Sequence, residues 1–373
     1  MKLFEYQAKE EFAEHGIPVP KGVVATNMEE VKAAVKEIGL PCVLKSQVLA
    51  GGRRKAGLIQ FVKSADEAEQ KAQALFASEH NVRKLLVEEA VDIDRELYLA
   101  ITIDPVEATA LFIACAEGGV DIETLAVEDP DKLVYVKVDL DWGFMPHHMR
   151  EITFGLGLEG DVAKEVGAIA QKLFKVFRKY GAELAEINPL FITKQGKIVA
   201  GDGKLIIDDS LNSDKYPLAR EYFDNDAEYE AALEGIPYLK FDGDIALMCA
   251  GAGLTTTVFD LVHYAGGSVA NYLEFGGPNY TKAMQAMQLC LKNPSKVILV
   301  VTFGTIARAD VMATGLVEAI KALKPTVPIV TCIRGTNEEE AFEVLRSIGL
   351  EPLKETEEAV QRAVDIAAGR RTS

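Results

Sequence analysis

Ala50-Gly51-Gly52-Arg53-Arg54-Lys55-Ala56-Gly57 stands between two apolar runs, Cys42-Val43-Leu44-Lys45 and residues 58–62. A strand, a glycine-rich cover and a second strand suit a nucleoside triphosphate held under a β-hairpin. Glycines let the backbone approach phosphate oxygens, and the three adjacent cations offset their charge. The stretch is not a Walker loop, which needs Gly-x-x-x-x-Gly-Lys-Ser/Thr opening a helix. Lys45 interrupts an apolar strand, where an unpaired ammonium is costly. Its partner is either a nucleotide phosphate or a nearby carboxylate.

Working outward, residues 2–12 read as a short helix. Residues 27–38 read as another, with Asn27 as N-cap and Gly39 as stop. Residues 65–77 are helical, and 84–89, 95–103 and 108–114 are strands. The clearest helix spans 161–180, where Val162, Val166, Ile169, Leu173 and Phe177 fall on one stripe. Residues 184–192 and 198–207 form an antiparallel hairpin about Lys194-Gln195-Gly196. Residues 208–242 are polar and read as a boundary.

From Asp244 onward strands alternate with helices. Strands at 245–250, 269–274, 297–303 and 328–333 are followed by helices at 255–264, 282–291, 306–323 and 337–347, and a last helix runs over 356–368 with Thr356 as N-cap. This alternation predicts a parallel doubly wound sheet with ligands at the carboxyl ends of its strands. The loops there include Gly251-Ala252-Gly253, Gly276-Gly277-Pro278-Asn279 and Phe303-Gly304-Thr305-Ile306-Ala307. The last, read as a Gly-Thr turn entering a helix N-terminus, suits an anion held by backbone N–H groups. The two glycine loops together suggest an enzyme that moves a phosphoryl group from a nucleotide to an anion.

The chain has 373 residues and a formal net charge of −17, which disfavours nucleic acid and anionic membranes as partners. An anionic ligand needs a local patch, and Arg53-Arg54-Lys55 is one. The five cysteines are scattered without a Cys-x-x-Cys pair, as expected of buried thiols in a reducing cytosol. The first residues lack the apolar stretch of a signal peptide. No run approaches the roughly 18 apolar residues of a membrane span. None of the histidines, His15, His80, His147, His148 and His263, lies in a glycine-rich loop. His147 and His148, adjacent on an extended chain, would point apart and so suit a surface or interface role.

Several carboxylates stand at strand ends or on one strand face. Glu88 closes a strand and Glu96 opens the next, where each could accept from an adenine amino group or a ribose hydroxyl. In Glu186-Ile187-Asn188-Pro189 residues 186 and 188 share a face. Asp202, within Gly201-Asp202-Gly203-Lys204, lies on the partner arm of the hairpin. A carboxylate and an amide oxygen, completed by phosphates, are ligands that Mg²⁺ prefers.

Read in order, Phe4-Glu5-Tyr6-Gln7-Ala8-Lys9, Lys45-x-Gln47-Val48-x-Ala50-Gly51-Gly52-Arg53, Arg95-Glu96-Leu97-Tyr98, residues 117–123, Glu186-Ile187-Asn188-Pro189-Leu190 and Asp202-Gly203-Lys204 resemble the β subunit of succinyl-CoA synthetase. The resemblance covers nearly the whole chain. It implies an α/β protein with an N-terminal ATP-grasp domain, taken as 1–235, and a flavodoxin-like CoA-ligase domain, taken as 236–373. It implies a reaction in which a carboxylate, CoA and ATP, with GTP less favoured on the evidence of Pro20, give acyl-CoA through an acyl phosphate. A phosphohistidine on a partner α subunit, which also carries the CoA site, relays the phosphoryl group. By resemblance Lys45, Gly52, Arg53, Arg54, Glu88, Val91 and Glu96 line the nucleotide, and Asn188 and Asp202 hold Mg²⁺. Glu186 is the catalytic group beside the phosphohistidine. Ala250, Gly304, Thr305, Ile306 and Ala307 meet the acid and the same phosphohistidine at a second site. A cytoplasmic heterodimer or larger complex is implied.

Three departures fall in the acid-binding half. Ala250 replaces an asparagine, Thr305 a glycine, and Phe275-Gly276-Gly277-Pro278-Asn279 a triple-glycine stretch of the succinate enzymes. Ala250 and a non-glycine residue at 305 look somewhat like the citrate-activating relatives. The expected acid is therefore succinate, or another di- or tricarboxylate such as malate or citrate. A non-catalytic nucleotide-binding subunit is the reading from another class, and the joint presence of Lys45, Asn188 and Asp202 argues against it.

Overall fold

The computed structural model describes residues 1–304 and 306–370, so Thr305 of the second glycine loop lies outside the described residues. The chain divides into two compact units, Met1–Pro217 and Leu218–Ser373. The sequence analysis places its boundary after residue 235. The segment between contributes to the second unit, where Asn279 Nδ2 donates to Gly235 O at 3.0 Å and Lys292 pairs with Glu230.

The first unit opens with α1 (Glu5–Glu14), β1 (Gly22–Ala25), α2 (Met28–Ile38), β2 (Cys42–Ser46), β3 (Ile59–Val62), α3 (Ala65–Phe76) and β4 (Leu85–Glu89). It continues with β5 (Ile93–Asp104), β6 (Thr109–Cys115), α4 (Ile122–Glu128), β7 (Leu133–Val138), α5 (Pro146–Gly155) and α6 (Gly160–Lys179). It ends with β8 (Leu184–Thr193), β9 (Ile198–Ala200), β10 (Lys204–Ile206) and α7 (Asp209–Asn212). Two antiparallel sheets result. One has the order β1-β4-β2-β3; the other runs β10-β8-β5-β6-β7, with β9 also paired to β8.

Local signals set most of these elements. Asn27 caps α2 by accepting from Glu30 N at 3.0 Å, and Gly39 ends it at φ 88°. The α6 stripe of Val166, Ile169, Leu173 and Phe177 is buried against the larger sheet, with Val162 at its margin. Burying each such side chain contributes about 1.5–3 kcal/mol. The expected hairpin is interrupted: β9 pairs with Leu190–Ile192 of β8 and β10 with 184–186, and Gly201-Asp202-Gly203 steps between them. β7, α4 and α5 carry no strong sequence signal and were not expected.

His147 and His148 lie in the first turn of α5, not on an extended chain. Their ring centroids are 3.9 Å apart, and His148 is buried and accepts from Met145 N. Among the described residues no group of three or more His, Cys, Asp or Glu side chains could hold a metal ion.

The second unit comprises α8 (Asp226–Glu234), β11 (Tyr238–Lys240), β12 (Ile245–Cys249), α9 (Ala252–Tyr264), β13 (Val269–Leu273), α10 (Ala283–Lys292), β14 (Val297–Gly304), α11 (Ala309–Leu323), β15 (Ile329–Gly335), α12 (Glu338–Arg346) and α13 (Thr356–Ala367). Its sheet has the order β11-β13-β12-β14-β15. It is parallel except for the edge strand β11, and the N-cap of α13 is Glu355, one residue before the expected Thr356. On β12, Ala246 and Met248 face a core shared with α8, α10, α11 and α12, while Ile245, Leu247 and Cys249 face one shared with α9 and α13. Burial on both faces is why these strands read as unbroken apolar runs. All five cysteines are free and buried. No helix among the described residues is long and apolar enough to cross a membrane.

Candidate functional site

A cleft of about 430 Å³ opens in the first unit. Gly52, Arg53 and Arg54 form one wall, from the loop between β2 and β3. Glu186 and Asn188 come from β8, and Asp202 from the step between β9 and β10. Six of the residues expected at a nucleotide site thus meet around one cavity. Lys45, Glu88, Val91 and Glu96 are not on its wall.

The alternation of β8 aims the two wall residues. Ala185 and Ile187 are buried in the core, so Glu186 and Asn188 face the cleft. Lys204 stands opposite Glu186 in the β10–β8 register, and Gly201 N donates to Pro189 O at 2.9 Å. That bond holds the Gly201-Asp202-Gly203 step against β8 and presents Asp202 beside Asn188.

Lys45 finds carboxylates. Its Nζ lies 2.9 Å from Glu5 Oε1 and 2.6 Å from Glu88 Oε2, and donates to Gly201 O at 2.6 Å. Lys9 Nζ also reaches Glu5, Glu88 and Gly201 O. Arg53 completes the group: Nη1 is 2.7 Å from Glu5 Oε2, while Nη2 lies 2.8 and 2.7 Å from the two oxygens of Asp202. Three cations therefore face three carboxylates. Burial alone would raise the Glu5 pKa, but Lys45, Lys9 and Arg53 outweigh it and hold the carboxyl well below its ordinary range. Burial likewise works against the charge on Lys45, and Glu5 and Glu88 reverse this, raising its pKa. Glu5 and Lys9 were not singled out from sequence. Their i, i+4 spacing on a polar helix is that of an ordinary surface pair.

The far wall is the loop after β6, which sequence reasoning left without a role. Gly119 N donates to Asn188 Oδ1 at 2.7 Å, and Asn188 Nδ2 donates to Val120 O at 3.1 Å. Gly118 is required there, because a Cβ would come within 2.4 Å of Leu97 O. Arg54 and Lys55 reach across the mouth toward Glu96 at 3.9 Å and Asp121 at 3.7 Å.

Within the acidic chain the cleft is charge-balanced, with as many cations as carboxylates on its wall. Lys2, Arg53 and Lys204 all line it, and burial followed by the charges of Lys204 and Arg53 lowers the Lys2 pKa. Glu186 behaves oppositely to Glu5. Burial raises its pKa, Lys204 opposes this, and Asp202 and Glu123 reinforce it. The Tyr98 hydroxyl donates to Glu186 at 3.5 Å. A half-buried carboxylate with a raised pKa in a polar cleft is a recognised mark of a functional group.

Asn188 and Asp202 fit a magnesium ion in chemistry and in number. Each offers a hard oxygen at the cleft wall, and two protein ligands leave positions for phosphate oxygens and water, as Mg²⁺ requires.

In the second unit Ala250 follows β12 and Gly304 ends β14, adjacent parallel strands. The chain runs from β12 to β13 on one side and then to β14 on the other, so the strand order reverses here. Ligands of open parallel sheets bind at such a switch point. α9 starts at Ala252 behind Gly251 (φ 82°), with no side chain capping it. The second glycine loop differs from expectation. α11 begins at Ala309, not 306, with Arg308 at its N-cap, and Ile306 is 95% exposed. The cause is local. Gly304 O accepts from Thr336 N at 2.9 Å, and Gly304 lies so close to Ala307 O that a Cβ would clash at 1.9 Å. Gly304 and Ala307 therefore stand close together before α11 begins.

Residues 2–192 match the ATP-grasp domain family and residues 248–366 the CoA-ligase family. A subunit of ADP-forming sulfoacetate–CoA ligase from Bilophila wadsworthia is 68% identical, over 99% of this chain and 100% of that protein. The β subunit of ADP-forming succinate–CoA ligase from Ignicoccus hospitalis is 41% identical, over 98% and 99%. The structure of an ATP citrate lyase from Methanothrix soehngenii, in complex with citrate and coenzyme A, shares the fold, with a TM-score of 0.73 at 20% identity and 99% of both chains covered.

Proposed function

The chain belongs to the family of β subunits of ADP-forming acid–CoA ligases, and from that premise we propose that its acid is sulfoacetate rather than succinate. An ATP-grasp CoA ligase of this family uses ATP and CoA. The observation that carries the choice of acid is the 68% identity to the sulfoacetate enzyme's subunit along the whole chain. Two of the three departures in the acid-binding half support it. Sulfoacetate keeps the reacting carboxylate of succinate but ends in a tetrahedral, fully ionised sulfonate with three acceptor oxygens. Thr305 adds a hydroxyl donor directly after Gly304 in the sequence, and Ala250 leaves more room than an asparagine at the end of β12. The uncapped α9 N-terminus offers backbone N–H groups to an anion.

In this reading Gly52, Arg53 and Arg54 receive the nucleotide phosphates, Asn188 and Asp202 hold Mg²⁺, and Lys45, Glu88, Val91 and Glu96 complete the nucleotide's surroundings. The metal would offset phosphate charge during transfer. Glu186, whose pKa is raised by burial, bonds the histidine of a partner α subunit as that ring receives the phosphoryl group. The partner is needed because none of the five histidines of this chain lies in a glycine-rich anion loop. Ala250 and residues 304–307 meet the same phosphohistidine and the acid at the second site. The complex works in the cytoplasm.

Co-production with an α-type subunit followed by assay of CoA-dependent ADP release tests the reading. Sulfoacetate is expected to exceed succinate, malate and citrate by roughly tenfold or more in kcat/KM, the scale of one or two hydrogen bonds in a binding site. A preference for succinate would return the protein to the succinate enzymes, and full turnover without the α subunit would refute the division of labour.

A further inference from the structure

Arg53 bridges both oxygens of Asp202. Its Nη2 lies within 2.8 Å of both carboxylate oxygens, and Asp202 Oδ1 also accepts from Gly203 N at 2.7 Å. The guanidinium is itself held from behind, with Nη1 on Glu5 and on Ser46 O. Glu5 is only 1% exposed and is shared with Lys9 and Lys45. Asp202 is thus neutralised by a cation that has a second, fixed attachment.

We propose that Arg53 is the resident counter-cation of Asp202, tethered by Glu5, and that it bars a free divalent cation from the site while admitting one that arrives with a nucleotide. The inference rests on the assignment of Asp202 to Mg²⁺. A bare divalent ion would have to push the guanidinium off Asp202 toward Lys9 and Lys45, with no new anion to receive it. Such displacement leaves an uncompensated charge in a poorly solvated place. A nucleotide changes the balance. Its phosphate offers Arg53 a charge-assisted acceptor, Nη1 stays on Glu5, and Nη2 turns from Asp202 to the phosphate. Asp202 is freed in the same event that delivers the metal. Arg53 therefore acts as a positioning residue that makes metal entry depend on nucleotide, and Glu5 keeps it within reach of both partners.

Binding of Mn²⁺ to the full-length chain, followed by the electron paramagnetic resonance of the free ion, tests this without catalysis. Without nucleotide, Arg53→Gln should bind one Mn²⁺ at least about tenfold more tightly than wild type, since a charge-assisted bond to Asp202 no longer competes. Asp202→Asn added to Arg53→Gln should abolish the gain. Equal Mn²⁺ affinity in wild type and Arg53→Gln, or a gain that survives Asp202→Asn, overturns the proposal. A companion measurement needs no variant: in ¹⁵N-arginine-labelled wild type, Mg²⁺ alone should leave the Arg53 side-chain resonance in place and MgADP should shift it. The same shift with Mg²⁺ alone overturns the proposal even if Arg53→Gln fails to fold. The underlying assignment fails separately. It is wrong if Asp202→Asn leaves Mn²⁺ binding in the presence of ADP unchanged.

Discussion

Lys45 Nζ lies 2.9 Å from Glu5 Oε1, joining a β-strand to the N-terminal helix where both side chains are nearly shut from solvent. Glu5 lines the cleft and Lys45 stands behind it, so the pair affects function through the shape and charge of the wall. It also makes Lys45 a stability residue. Lys45→Met leaves Glu5 and Glu88 with one cation fewer and should destabilise the first unit by about 3–5 kcal/mol. Hydrogen exchange at the β2 and β4 amides, which lie in that unit, measures the loss across a urea titration. A loss below about 1 kcal/mol would show that the network carries little.

Glu5 predicts an acid limb. Its folded pKa is lowered, so the stability it contributes is present above its ordinary value of 4.5 and is lost as pH falls through the lowered one. Glu5→Gln should be less stable than wild type at neutral pH, and the difference should shrink as the pH drops below 4.5. Urea midpoints of the two proteins across that range measure it, and a gap independent of pH would contradict the assignment.

Glu186 predicts the opposite sign. Its folded pKa is raised, chiefly by burial, so its ionised form opposes folding at neutral pH and the cost vanishes where both states are protonated, below 4.5. Glu186→Gln should raise the unfolding midpoint at pH 7, with no gain at low pH. In complex with the α subunit the same change should abolish phosphoryl transfer to the histidine. A variant less stable at pH 7 would show that Glu186 is a structural partner of Lys204.

Gly118 predicts a loop defect. A Cβ there meets the Leu97 backbone, which cannot give way as a flexible side chain could. Gly118→Ala should displace the loop after β6, strain the Gly119–Asn188 hydrogen bond and cost about 1–3 kcal/mol. ADP binding, measured by calorimetry in the presence of Mg²⁺, should weaken by roughly tenfold, about one lost hydrogen bond. Unchanged affinity would remove this loop from the site.

Much of the site was legible because its signals are local. The glycines and cations of residues 51–55 are contiguous, and the alternation of β8 puts Glu186 and Asn188 on one face whatever the rest of the chain does. The Asn27 cap and the α6 stripe are read the same way. The charge network was not legible. Glu5 and Lys9 look solvated on a helix wheel, and only packing of α1 against the sheets reveals that they are buried partners of a lysine on β2. The start of α11 was misread for a similar reason: the hydrogen bond that delays it comes from Thr336, beyond the following strand.

The sequence by itself determined the period of each main element, the alternation that builds the second unit's parallel sheet, and the residue types placed at its loops. These follow from backbone sterics and from spacings of two and 3.6 residues, which act over a few positions at a time. Tertiary structure decided which charges face one another. Lys204 opposite Glu186 and Ala200 opposite Leu190 leave Asp202 between two short strands. That register brings Asp202 to Arg53, 149 residues away in the chain. Coulombic pairing depends on distance and desolvation, and both are set only when the sheets and α1 have closed around the same cleft.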